Sequence, residues 1–241
     1  MADLNGDGLK DLYTGSFGGV IYVLYGKGER QFGAPETLLS LTGQPLCLGE
    51  YYDLSTKEFR SRPGAKDPSA QMLSASAVDW DADGDLDLVA GEVDGRIMLF
   101  MNDGTKTEPE FKPEPVKIRA GRKSMWVKSG HSMPVATDWD GDGLFDIVAG
   151  SNDGTVSYWR NIGQAGEPEF AKPLTLVEKS SASEATDLLT PARPMTRTQP
   201  HIGDLDGDGT PELLIGESRR LEDADGETKW HGLVWSYPSG R

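Results

Sequence analysis

The chain has 241 residues, 37% hydrophobic and 8% aromatic, which suffices for one large all-β domain or two smaller ones and excludes a disordered chain. Its formal net charge is -15, with 39 acidic residues against 24 basic ones, so a nucleic-acid partner is not expected: phosphate binding needs basic surface. A single cysteine, Cys47, excludes an intrachain disulfide, and no apolar run reaches the length of a membrane helix. Met1 stands two residues before the first acidic motif, so no signal peptide is expected within this sequence and a missing upstream piece is expected instead.

In chain order, the first element is "DLNGDGLKDLYTG" (3–15), an acidic loop running into a strand, followed by "GGVIYVLYGKGERQFGAP" (18–35). A break in pattern, "GEYYDLSTKEFRSRPGAKDPSA" (49–70), comes next. The lead-in "SASAVD" then opens a second acidic loop and strand, "DWDADGDLDLVAG" (79–91), with "GRIMLFMNDGTKTEPEFKP" (95–113) behind it. "MPVATD" opens a third, "DWDGDGLFDIVAG" (138–150), followed by "GTVSYWRNIGQAGEPEFAKP" (154–173). After a second break, "KSSASEATDLLTPARPMTRTQP" (179–200), "QPHIGD" opens the fourth, "DLDGDGTPELLIG" (204–216). All four share D-x-[DN]-x-D-G-x-x-[DE]-apolar-apolar-x-G in register, which one chance match would not produce.

Each unit therefore predicts strand, acidic loop, strand, turn, strand, Gly-rich turn, strand, from short β-branched runs bounded by Gly, Asp and Asn. Four-stranded antiparallel units repeating at about 60 residues predict an all-β fold, a β-propeller of about four motif-bearing blades. The units span about 1–48, 70–120, 130–178 and 198–241 of a single domain, 1–241, with insertions at about 49–70 and 179–200. The small residues Ala75, Ser76, Ala77, Ala136 and Gly203 are expected on the innermost strands, where blades crowd the axis. A two-sheet sandwich is the alternative, disfavoured because sandwiches seldom repeat a motif so regularly. The first unit lacks its leading strand and the last stops after "HGLVWSYPSGR" without a fourth, so a truncated product, a small ring or an open arc with an exposed sheet edge are all compatible.

Oxygen ligands at alternate positions, then a Gly that permits a sharp turn, suit a hard divalent cation such as Ca²⁺. Side chains at loop positions 1, 3, 5 and 9 are expected to point inward: Asp3, Asn5, Asp7 and Asp11; Asp79, Asp81, Asp83 and Asp87; Asp138, Asp140, Asp142 and Asp146; Asp204, Asp206, Asp208 and Glu212. The backbone carbonyl at position 7 (Leu9, Asp85, Leu144, Thr210) adds another oxygen, and the Asp85 side chain adds charge. Up to four Ca²⁺ would take the net charge from -15 to about -7. The first loop, one charge short, is expected to be the weakest. Position 2 (Leu4, Trp80, Trp139, Leu205) is apolar each time and should pack away from the ion. An EF-hand needs a Glu at position 12 and flanking helices; here position 12 is Thr14, Ala90, Ala149 or Ile215, and a strand follows. Zinc is not expected, because the loops hold no His or Cys.

These units resemble FG-GAP/VCBS-type repeats, the blades of integrin α-subunit propellers and of many bacterial secreted proteins. "QFGAPE" (31–36) even carries the Phe-Gly and Gly-Ala-Pro elements in fused form. The resemblance implies a Ca²⁺-stabilised propeller outside the cytoplasm, whether extracellular, periplasmic or at the cell surface, used for adhesion or for binding a protein or carbohydrate ligand. It also implies that the loop acids bind the ion. Family propellers usually have seven blades, and only four motifs are present here.

No catalytic constellation is evident. His131, His201 and His231 have no nucleophile partner, and His201, on an inner strand, reads as a blade-packing residue before a channel-facing one. Tyr51 and Tyr52 in the first insertion could stack on sugars or anchor a protein; a tolerated surface loop is the plainer reading. "EDADGE" (222–227) lacks the full spacing and reads as a turn. A non-enzymatic Ca²⁺-binding propeller is thus the expectation. The alternatives are a Ca²⁺-dependent polysaccharide lyase or hydrolase on the same scaffold, and a purely structural accessory fragment.

Overall fold

A computed structural model describes residues 1–16, 18–65, 71–179, 194, 196–222 and 227–237. Among these there is no helix; all regular structure is antiparallel β. The first sheet joins β1 (Leu12–Gly15), β2 (Ile21–Leu24) and β3 (Glu36–Thr37), and the first insertion then folds back as a hairpin of β4 (Glu50–Asp53) and β5 (Glu58–Ser61). The second sheet is β6 (Met72–Val78), β7 (Asp87–Glu92), β8 (Ile97–Phe100) and β9 (Val116–Lys117). A small hairpin of β10 (Arg119–Ala120) and β11 (Lys123–Ser124) leads to the third sheet: β12 (Met133–Thr137), β13 (Asp146–Gly150), β14 (Val156–Trp159) and β15 (Leu174–Val177). The fourth holds β16 (Gln199–Gly203), β17 (Glu212–Glu222) and β18 (Thr228–Tyr237). Each sheet is a simple meander in sequence order, as the repeated unit predicts. The first has only an Ala2–Asp11 bridge where the others have an opening strand, and the fourth has no fourth strand among the described residues. Most of the second insertion, and the centre of "EDADGE", lie outside the described residues.

Burial shows how the sheets meet. β7 and β13 are buried at every position, because alternate side chains feed different cores. Leu88 and Ala90 join Ile21, Val23 and Phe111 between the first and second sheets. Val89 joins Ile147, Ala149 and Trp159 between the second and third, and Val148 joins Leu213 and Ile215 between the third and fourth. The four sheets thus stack face on face in chain order. β17 departs from this pattern: Leu213, Ile215 and Glu217 are buried, while the residues between them are only half-buried.

The apolar second loop residues follow the same rule. Leu4 lies in the first core, Trp80 and Trp139 pack against the second and third, and Trp80 meets Phe145 of the next unit at 5.2 Å between ring centroids. Leu205 is 54% exposed, because no described sheet follows its own. Leu4→Ala, at a site only 4% exposed, is therefore expected to lower unfolding free energy by about 2–3 kcal/mol, whereas Leu205→Ala costs under about 0.5 kcal/mol. Paired urea melts check this; equal costs would contradict the stacking.

β1 and the three opening strands β6, β12 and β16 lie side by side. The Tyr13 hydroxyl accepts the Ala77 amide at 3.1 Å, and the Ser76 hydroxyl accepts the Ala136 amide at 3.1 Å, lacing β1 to β6 and β6 to β12. β1, β6, β12 and β16 together line one cavity of 320 Å³. His201 is exposed in that lining, so the blade-packing reading of this residue fails. Crowding does not explain Gly203 either: an added Cβ would meet nothing nearer than His201 Nε2, at 3.8 Å. Tyr51 is buried beside Val20 and Cys47, and Tyr52 packs edge-on against Phe59, so this pair holds the β4–β5 hairpin.

Candidate metal centres

The second, third and fourth acidic loops link the first strand of their sheet to the second, the first loop links the Ala2 bridge to β1, and one scaffold recurs. The position-1 aspartate accepts the amide of the position-6 glycine in all four: Gly8 to Asp3 at 3.1 Å, Gly84 to Asp79 at 3.2 Å, Gly143 to Asp138 and Gly209 to Asp204 at 3.0 Å each. The position-5 aspartate accepts the amide of position 7: Leu9 to Asp7, Asp85 to Asp83, Leu144 to Asp142 and Thr210 to Asp208, at 2.7–3.0 Å. These Asx-type turns coil the backbone around the acids. Seven of the glycines that make the coil possible, among them Gly143 and Gly209, have φ between +66° and +96°.

Position 9 has a second role that spacing alone did not show. Asp11, Asp87 and Asp146 are fully buried, and both oxygens of each accept backbone amides. One oxygen takes the position-2 amide: Leu4 at 2.8 Å, Trp80 at 2.9 Å and Trp139 at 3.1 Å. The other takes an amide fifteen residues on, past the third strand: Gly26 at 2.8 Å, Asn102 and Asn161 at 2.7 Å. Each acid is thus a latch between its loop and its sheet. Asn102 and Asn161 continue the chain of contacts, their side-chain oxygens accepting Gly104 and Glu110, and Gly163 and Glu169. That explains the matched "NDGTKTEPEF" and "NIGQAGEPEF" segments. Glu212 latches only the Leu205 amide, at 2.7 Å.

The carboxylates converge to different degrees. One oxygen from each of Asp79, Asp81 and Asp83 lies within 4.8 Å of the others; so do those of Asp138, Asp140 and Asp146, and of Asp204, Asp206, Asp208 and Glu212. No such group of three acids forms in the first loop, where Asn5 hydrogen-bonds Asp7 instead. In the second loop, Asp79 Oδ1 and Asp85 Oδ1 are buried with no hydrogen-bond partner, as is Asp3 Oδ1 in the first. Orphaned buried carboxylate oxygens are costly unless a cation meets them, so the donor set fits a hard divalent ion. Asp79, Asp81 and Asp83 would hold it, with Asp85 and Asp87 behind them.

The electrostatics agree. Burial, and then the charges of Asp83, Asp81 and Asp79, push the Asp85 carboxyl up to about 6. Burial likewise raises Asp87 to about 6 against two backbone hydrogen bonds that favour its charge, and Asp146 is raised for the same reason. The third loop carries its own cation. Arg160, just past β14, pairs with Asp140 and with Asp142 at 3.1 Å, and the Leu144 amide with this guanidinium holds the Asp142 carboxyl low. No motif pointed to Arg160; its only signal was a basic residue next to the Asn161 latch position.

Sheets and loops together define an all-β repeat protein whose unit is strand, acidic loop, strand. Residues 138–215, from the first acid of the third loop into β17, are similar to the FG-GAP-like repeat. No match was found among curated proteins.

Proposed function

We propose that this chain is a non-enzymatic Ca²⁺-binding β-propeller module that works extracellularly, in the periplasm or at the cell surface, presenting loops to a protein or carbohydrate partner. The propeller reading is supported by four stacked sheets that line one cavity through β1 and the opening strands β6, β12 and β16. The observation that carries Ca²⁺ binding is the second loop: three converging aspartates beside buried carboxylate oxygens that no described residue satisfies. The ion would be structural, neutralising the loop and fixing the strand pair that the position-9 latch joins. The cavity lining offers His201 but no Arg or Lys, so the lyase alternative has no basic cluster to rest on there.

Calorimetric titration of chelator-stripped protein with Ca²⁺ tests the reading. Up to four ions per chain are expected, and the variant with Asp79→Asn and Asp83→Asn loses one. Arg160→Ala is expected to tighten the third site by about tenfold, because it removes a cation within about 4 Å of two ligands. No heat in the parent protein would sink the ion reading, and unchanged affinity in the Arg160 variant would sink the competition.

A further inference from the structure

Charge on this acidic chain is segregated. The run from 117 to 128, "KIRAGRKSMWVK", holds Lys117, Arg119, Arg122, Lys123 and Lys128 without one acid. It forms the β10–β11 hairpin, which no motif reading absorbed, and the hairpin meets the segment between β14 and β15 through an Ala120–Phe170 bridge. Between the two lies an open trough of 760 Å³. Its floor is apolar, with Phe170 buried, and its walls carry Trp126, 52% exposed, and Ile162, 56% exposed. Arg122, Lys123 and Lys172 stand on the rim, all exposed, and none forms an ion pair among the described residues. Glu169 is the one acid in the lining.

We propose that this trough binds an acidic carbohydrate chain of the uronate class. The indole Nε1–H of Trp126 donates to the Asp94 carbonyl at 2.8 Å, so the ring is fixed in place while half its surface stays open. A large exposed aromatic held this way is an unspent binding surface. A pyranose ring offers it a flat C–H face, and Ile162 extends the apolar wall. The rim cations, unpaired among the described residues, call for negative charge on the ligand's edges. A carboxylate at C5 leaves the stacking face bare, which bulky ester sulfates on the ring do not. An acidic peptide matches the charge but has no flat repeating face for the indole. The trough's size lies in the ordinary range for small-ligand sites. This proposal specifies the partner in the proposed function and uses none of the acidic loops.

The test is titration of the full chain with a uronate oligosaccharide, followed by tryptophan fluorescence and calorimetry, with Ca²⁺ saturating and counted in the same sample. Saturable binding is expected, weakened about tenfold by Trp126→Ala and several-fold by Lys123→Ala with Arg122→Ala, and falling as salt rises. The exposed hairpin substitutions keep the test valid if Trp126→Ala does not fold. A neutral oligosaccharide of equal length, a sulfated one and poly-glutamate are the comparison arms. No uronate binding, equal binding of any comparison ligand, or binding indifferent to both variants would each overturn the proposal. Ions counted without sugar bound would leave the Ca²⁺ reading standing, and sugar bound without ions would leave the trough standing.

Discussion

Gly150→Ala is expected to cost about 3 kcal/mol or more, while Gly216→Ala at the same motif position costs under about 1 kcal/mol. The motif ends in glycine each time, and the reason lies in the next unit. The chain entering β16 crosses directly over Gly150, and a Cβ there would overlap the Thr198 carbonyl oxygen and come within 2.7 Å of its carbon. Backbone cannot move aside cheaply here, because Thr198 is a fully buried staple. Its hydroxyl accepts the Ser151 amide at 2.8 Å and reaches the Ser151 and Thr155 carbonyls at 3.1 Å. Gly91 stands in the same relation to Ser132, whose hydroxyl accepts the Glu92 amide at 2.8 Å. Gly216 has only Gln199 O, at 3.8 Å. Thermal melts of Gly91→Ala, Gly150→Ala and Gly216→Ala check this ordering; a tolerated Gly150→Ala would contradict the crossing.

Asp87→Ala is expected to cost about 3 kcal/mol, because two backbone amides, those of Trp80 and Asn102, lose their acceptor in a buried place. Asp87→Asn, which keeps one accepting oxygen, should cost about half as much. The pH dependence separates this latch from an ordinary surface acid. Asp85 and Asp87 are raised to about 6 in the folded chain, whereas an unfolded aspartate titrates near about 3.9. Between those values the folded state holds more protons than the unfolded one, so ion-free stability rises as pH falls from 7 to 5 and is lost as pH climbs through 6. Ca²⁺ affinity runs the other way, falling below about pH 6 as protons compete for the same oxygens. Urea melts in chelator at pH 5 and pH 7 read the first effect. Greater ion-free stability at pH 7 would mean that burial does not govern these two groups.

Much of this molecule was legible from spacing. The alternation of acids, the invariant turn glycine and the apolar tail located all four loops and the strand after each. The repeat of those stretches located the four loop-bearing sheets, but not the β4–β5 and β10–β11 hairpins. Whatever depended on a neighbouring unit was not legible. Leu4 and Leu205 are the same residue at the same position, yet one is buried and the other open, because among the described residues only Leu4 has a sheet beyond its own. Asp87 read as a ligand and also proved to be a latch, since its second amide partner, Asn102, lies fifteen residues away across two strands. Arg160 entered the third loop from the far end of β14, and His201 turned to the cavity instead of packing. Each of these is a through-space relation between strands, which period and composition do not encode.

The measurement that bears most directly on this account is a pair of thermal melts of the whole chain at pH 7, one in about 1 mM Ca²⁺ and one in EDTA. At about ten times its dissociation constant each ion adds about 1.4 kcal/mol, so even two occupied loops should raise the melting temperature by several degrees. That rise, abolished in step with loss of the second-loop aspartates, is the predicted result. Superimposable curves would mean that the aspartates coil the backbone for its own sake and hold no ion.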